Sequence, residues 1–271
     1  MASSSGNSAS KKQPLGTPNI QSVARTLDIL EAMKQEARGQ SLAELGRHVN
    51  LHRATIHRIL TTLERRGYVE QNQVTRRYHL GLRLLELGSA YWNQNDLTRL
   101  GQPVLDRVTA DTGHTSYLGI LDRHQFVIVA VAYLGLGLKV VTRVGNHRPI
   151  HATAGGKMLL ACLSDDMLDA FLSTHRFTFV TQNTITSSAV LRQELEIVRQ
   201  RGYAMNHEES IPGVTGVAVP VRDPAGQVRA ALAMLWPTNT VSPQRESELL
   251  NYVVESARRL TNDWTRGNGT V

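Results

Sequence analysis

The stretch from Ser41 to Leu80, "SLAELGRHVNLHRATIHRILTTLERRGYVEQNQVTRRYHL", limits what this chain can become more than any other. Ser41 followed three residues later by Glu44 is a capping box, in which the serine accepts from the glutamate's backbone N–H and the glutamate from the serine's. It opens a short helix, Leu42 to Val49, with Leu42, Leu45 and Val49 as its apolar positions. Asn50 follows, a residue that tolerates the left-handed turn. A second helix runs from about His52 to Arg66 and stops at Gly67. At about 100° per residue, Ile56, Ile59, Leu60 and Leu63 fall in one stripe that must face a core. The other side carries Ala54, His57, Arg58, Thr61 and Arg65, with Arg53 near the start and Glu64 only toward the edge. Tyr68 to Leu80 then reads as a small hairpin, turning at Asn72–Thr75, with Arg76 and Arg77 at or after its tip. Two short helices at an angle, an exposed second helix and a basic hairpin make a winged helix-turn-helix. An amphipathic helix from Ile20 to Met33 precedes it.

Charge placement agrees. The chain of 271 residues carries a net charge of +7, and residues 1–90 hold 13 Lys and Arg against 7 Asp and Glu. The basic excess therefore sits in the first third, which points that part toward a polyanion. The residues expected to meet double-stranded DNA are Arg53, Ala54, Thr55, His57, Arg58, Thr61, Arg65, Arg76 and Arg77. Arg and His can donate to guanine or phosphate, and Thr can touch a thymine methyl.

The rest of the chain mixes helices and strands. Leu82 to Trp92 continues as a helix whose leucines spread over more than one face, as a dimerisation helix would. Leu97–Thr112, Asp165–Thr174, Ser188–Arg201 and the segment after Ser242–Pro243 read as helices. "HTSYLGIL" and "QFVIVAVAYL" read as strands joined at Asp122–His124, "LKVVTRVG" as a further strand, and "VAVPVRDPAGQVRAALAMLW" as a hairpin turning at "DPAG". "HATAGGKMLLACL" is a small-residue turn entering a helix, with Cys162 expected in the core, and "GYAMNHEESIPGVTG" reads as a loop with little pattern. Together these give an α+β sensor-like domain. One cysteine excludes an intramolecular disulfide and suits a reducing cytoplasm. No apolar run approaches the roughly 20 residues of a membrane span. Residues 1–19 are Ser-, Gly- and Asn-rich and read as a disordered tail.

The motifs "LAELGRHVNLHRATIHRILTTLERRGYV", "YHLGLRLLELG", "HATAGGKMLLA", "RGYAMNHEES" and "GVAVPVRDPAGQVRAALAM", in this order, resemble the isocitrate lyase regulator (IclR) family of transcription regulators. The resemblance spans about Ile20 to Trp264. It implies a winged helix-turn-helix domain over 20–81, a linker or dimerisation helix over 82–95, and a GAF/PAS-like effector-binding domain over 96–266. It also implies a homodimer or homotetramer that represses or activates catabolic operons in answer to a small molecule. Carried over residue by residue, it places the effector on Val140, Arg148, Ala154, Gly155, Asn206, Gly216, Ala233 and Leu235. Relatives that bind small polar acids have an acid, a thiol and two serines where this chain has Asn206, Gly216, Ala233 and Leu235. Losing those donors favours a larger, aromatic or largely apolar effector, with Arg148 or Arg143 free to pair with one acidic group.

Three other readings carry less. "TAGGK" lacks the phosphate-loop spacing, because Met158 follows Lys157. His207–Glu209 with His147 or His151 fits no standard metal site, and no cofactor is expected. An enzyme or metabolite-binding protein whose winged domain serves only assembly would not need a basic outer face on His52–Arg66, and no nucleophile–histidine constellation stands out after residue 96.

Overall fold

The computed structural model describes residues 20–34, 36–133 and 142–267. The chain divides into two compact units, residues 1–91 and 92–271, so the division falls inside the helix read as a linker.

The first unit contains α1 (Gln21–Met33), α2 (Leu42–Val49), α3 (Arg53–Arg65), β1 (Val69–Gln71), β2 (Tyr78–Leu80) and most of α4 (Leu82–Gln94). The capping box at Ser41 and Glu44 is formed, and Asn50 ends α2 at φ 48. Ile56, Leu60 and Leu63 of α3 are buried, and they share a core with Ile29, Met33, Leu45, Val69 and Tyr78. The wing is an antiparallel pair with Val69 opposite Leu80 and Gln71 opposite Tyr78. None of α4's residues is buried, and Leu82, Leu85 and Leu87 are all more than half exposed.

The second unit contains α5 (Asp96–Thr112), β3 (Thr115–Asp122), β4 (Gln125–Ala132), β5 (His147–Arg148), α6 (Ala154–Ala161), α7 (Asp165–Thr174), α8 (Ser188–Arg201), β6 (Ala204–His207), β7 (Val214–Arg222), β8 (Val228–Pro237) and α9 (Pro243–Gly267). Its antiparallel sheet runs β5-β4-β3-β8-β7-β6. Both faces are covered, which is why β8 reads as an unbroken apolar run. Leu232, Met234 and Trp236 pack with Leu105 and Val108 of α5 and Val253 and Leu260 of α9. Ala231, Ala233 and Leu235 pack on the other side with α6, α7 and α8. Small residues on that face let α6 lie close enough for all eight of its residues to be buried.

Three sequence expectations change. The supposed loop after Gly202 contains β6, an edge strand without apolar alternation, because Asn206 is buried and hydrogen-bonded rather than exposed. Of the strand expected over residues 138–145, Leu138 to Val141 lie outside the described residues, and Thr142–Gly145 is coil and turn; the pairing strand is His147–Arg148. Cys162 caps α6 and is exposed, not a core residue, because the helix ends before it can turn inward.

Candidate nucleic-acid interface and ligand site

Arg53, Ala54, His57, Arg58 and Arg65 of α3 are exposed, as is Arg76 of the wing, while Thr55 and Thr61 are half-buried. A groove of about 940 Å³ runs between α3, the first turn of α2 and the wing. It brings together Arg53, Ala54, His57, Arg58 and Arg76, and Ser41, Leu42, Ala43, Gln71 and Tyr78 complete its lining. No acid lines it. Arg58 also lines a separate cleft of about 490 Å³ against α1, and Thr55 lines that cleft and not the groove. Thr61 and Arg65 line neither, and the Thr61 hydroxyl donates to the His57 carbonyl at 2.9 Å.

Arg77 differs from its neighbour. Its Nη2 donates to both Glu44 carboxylate oxygens, at 2.9 and 2.7 Å, and its Nε donates to the Gly39 carbonyl at 3.0 Å. Hydrogen bonds from the Ser41 backbone and hydroxyl, and then from Arg77, hold the Glu44 carboxyl down at about 2. The hairpin pattern showed two arginines at the tip, but a partner 33 residues away is invisible to local pattern. The same limit hid Ser41–Ala43 as groove wall, although the capping box marked the helix terminus there.

In the second unit, Asn206, Gly216 and Leu235 share one row across β6, β7 and β8, ending at Thr115 of β3. Ala204, Ala218, Ala233 and Tyr117 form the next row. Ala154 and Gly155, at the start of α6, are buried against this sheet face. Arg148 lies on the edge strand β5, opposite Phe126. Val140 lies outside the described residues.

The glycines are small for a reason other than ligand space. A Cβ on Gly155 would stand 2.4 Å from the Phe126 ring, and one on Gly119 2.1 Å from it, so that ring is seated between the two. A Cβ on Gly216 would meet Leu235 Cδ2 at 2.4 Å. The space beside Gly155 and Gly216 is thus filled by the protein's own side chains. The Asn206 amide is also occupied: its nitrogen donates to the Ala152 carbonyl and the Ser210 hydroxyl, both at 2.9 Å, and its oxygen accepts from the Glu209 N–H at 2.8 Å.

Sequence reasoning missed Tyr117, which is buried on this face, with its ring edge-on to Phe126. Burial pushes its phenol upward and the nearby Arg148 opposes this. Its hydroxyl adds a polar group to an otherwise apolar wall, near the Arg148 cation. Lys157 and the histidines were also undervalued. The Lys157 side chain is 2% exposed, and its ammonium lies 2.6 Å from Glu209 and 3.4 Å from Glu194, so "TAGGK" aims its lysine at carboxylates. Buried His151 meets the Thr178 carbonyl at 3.1 Å and His175 at 2.8 Å, and His175 stacks on Phe171. Burial first, then His151 and His124, depress His175 to about 4, and burial lowers His151.

Comparison with known proteins identifies the family of both parts of the chain. Residues 22–73 match the IclR helix-turn-helix domain, and residues 89–262 match the bacterial transcriptional regulator IclR C-terminal domain. The chain is 34% identical to the HTH-type transcriptional regulator XynR of Escherichia coli, over 87% of this chain and 92% of that one. It is 32% identical to the regulator BhcR of Paracoccus denitrificans, over 89% and 86%. The crystal structure of an IclR regulator from Alicyclobacillus acidocaldarius superposes with a TM-score of 0.82 at 28% identity, covering 92% of this chain and 100% of that one. An IclR homologue from Microbacterium hydrocarbonoxydans, complexed with 4-hydroxybenzoate, superposes at 0.80 with 25% identity, covering 90% and 98%. This chain belongs to the IclR family of transcriptional regulators, which bind DNA under the control of a small-molecule effector.

Proposed function

We propose that the groove between α3, the start of α2 and the wing receives operator DNA. The carrying observation is its lining, which gathers Arg53, His57, Arg58 and Arg76 with no acid among the described residues. α3 enters the major groove, Arg53 and Arg58 address guanine edges or flanking phosphates, Ala54 takes a thymine methyl, and Arg76 reaches the neighbouring backbone, while Thr55, on the side of α3 toward α1, makes at most a flanking backbone contact. Thr61 and Arg65 serve as outer backbone contacts. An assembly-only role for this domain gives no reason for such a surface, and the relatives it matches are named as regulators, so we assign no catalysis. The protein works in the cytoplasm as a homodimer or homotetramer; among the described residues no helix is long and apolar enough to cross a membrane. The exposed leucines of α4 supply the contact between copies. The functional division is a DNA-binding part over 20–81, a linker over 82–95 and an effector part over 96–266.

The effector is aromatic or largely apolar, with one acidic or phenolic group, and the regulated genes serve its catabolism or efflux. Phe126, Ile128, Ala233 and Leu235 offer apolar wall, and Tyr117 with Arg148 offers a donor and a cation. The 4-hydroxybenzoate held by the Microbacterium relative supports this class. A two- or three-carbon oxyacid finds no hydroxyl at Ala233 or Leu235, and each unsatisfied oxygen costs about 1–3 kcal/mol. The test is fluorescence anisotropy of the full chain on a duplex selected by it in vitro, with 4-hydroxybenzoate, phenol, glyoxylate and pyruvate added in turn. The aromatic acid should change the apparent DNA affinity at a lower concentration than the 2-oxo acids. A preference for glyoxylate or pyruvate overturns the effector assignment.

A further inference from the structure

The wing is fastened to its domain by a charged clip. Glu44 accepts the Ser41 N–H at 2.7 Å and Arg77 at 2.7 and 2.9 Å, so one carboxylate joins the start of α2 to the start of β2. Arg77 Nε adds the Gly39 carbonyl, in the turn before α2. Beside the clip, Gln40 and Tyr78 exchange backbone hydrogen bonds at 3.0 and 2.8 Å, and the Gln40 amide donates to the Ala32 carbonyl of α1 at 2.7 Å. Inside the wing, Asn72 Oδ1 accepts the N–H groups of Val74 and Thr75. Arg76 stands at φ 57, a left-handed conformation, so the two successive arginines part company: Arg76 is exposed in the groove and Arg77 is half-buried and engaged.

We propose that Arg77 is a positioning residue, which with Glu44 sets the wing against α2 so that Arg76 and α3 address the same duplex, and that it holds no DNA phosphate itself. This rests on the groove being the DNA surface. It makes a prediction opposite to simple electrostatics. Glu44 is a negative charge close to a surface meant for a polyanion, and removing it should strengthen DNA binding if charge alone mattered. If the clip matters, removing it weakens binding. The salt dependence also separates the roles, because a lost phosphate contact lowers the slope of log affinity against log salt by about one, whereas a misplaced wing need not.

The experiment titrates full-length wild type, Glu44→Gln, Arg77→Gln, the double variant, Arg76→Gln and Arg58→Ala onto the selected duplex at several salt concentrations. Glu44→Gln and Arg77→Gln should each weaken binding about five- to tenfold with the wild-type salt slope, and the double variant should be no weaker than the worse single one. Arg76→Gln should lower the slope by about one. The proposal is overturned if Glu44→Gln binds as well as or better than wild type, or if Arg77→Gln flattens the slope as Arg76→Gln does. Should Arg77→Gln be unfolded at the assay temperature, Arg77→Lys replaces it, since it keeps the charge but loses the planar fork; weaker binding at unchanged slope supports the clip, and wild-type binding overturns it. Wild-type binding by Arg58→Ala would instead count against the groove itself, whereas a weak Arg58→Ala beside a silent Glu44→Gln sinks the clip alone.

Discussion

Lys157→Met is the perturbation whose consequence the structure specifies most fully. The Lys157 side chain is 2% exposed and its ammonium lies 2.6 Å from Glu209, whose side chain is 8% exposed and whose Oε2 is buried without a partner among the described residues. Removing one member of a buried ion pair costs about 3–5 kcal/mol, because the other charge is left in a poorly polarisable site. Glu209 can limit that cost by taking up a proton. Burial already pushes its carboxyl above the usual range, and Lys157 is the main force opposing this. Without the lysine the carboxyl rises further. Between the ordinary carboxylate pKa and the raised one, the folded form then binds more protons than the unfolded chain, so stability falls as pH rises, by at most about 1.4 kcal/mol per pH unit. The gap between wild type and variant should be small in mild acid, where the variant's Glu209 holds its proton, and should widen as pH rises and the carboxyl is forced to ionise. All three tryptophans lie in residues 92–271, so intrinsic fluorescence in a urea titration follows the right unit. A gap that is independent of pH, or that grows on acidification, would show that the pair is not the buried contact described here.

Gly155→Ala should destabilise the same unit by about 1–3 kcal/mol through overpacking against Phe126, and adding Phe126→Leu should recover part of that loss; additive losses in urea titrations would contradict the packing account. His175 should titrate near 4 by NMR, well below a free histidine, so stability is fully present above the ordinary histidine range and declines as pH falls from there toward 4; a titration at the ordinary position refutes the paired geometry. Sedimentation at micromolar protein should give a dimer or tetramer, and replacing Leu82, Leu85 and Leu87 of α4 by Ser together should shift it toward monomer, whereas a monomeric wild type would remove α4's proposed role.

Local chemistry explains what the sequence could reveal. The capping box at Ser41, the turn at Asn50, the stripe of Ile56, Leu60 and Leu63, and the hairpin up to Arg76 depend on residues within a few positions of one another. Such short-range patterns are legible in the amino-acid order alone. The sensor domain's helices were legible for the same reason, since Ser164 and Gly202 mark their ends. Features made by distant partners were not. Asn206 looks like a loop residue until Ala152 takes its amide from 54 positions away. Lys157 looks like part of a failed phosphate loop until Glu209 stands against it, and nothing near Gly155 in the sequence shows that the Phe126 ring packs on it. Resemblance supplied the row Asn206, Gly216, Leu235, whereas Tyr117 comes beside it only through the pairing of β3 with β8.

The central claim is that α3 and the wing form the DNA surface, and the salt-dependent affinity of Arg53→Ala and Arg58→Ala tests it most directly. Both side chains are exposed, so neither change should unfold the chain. On the selected duplex each should weaken binding by about 1–3 kcal/mol if it reads a base, or lower the salt slope by about one if it holds a phosphate. Wild-type affinity and slope for both variants, at every salt concentration, would contradict the account.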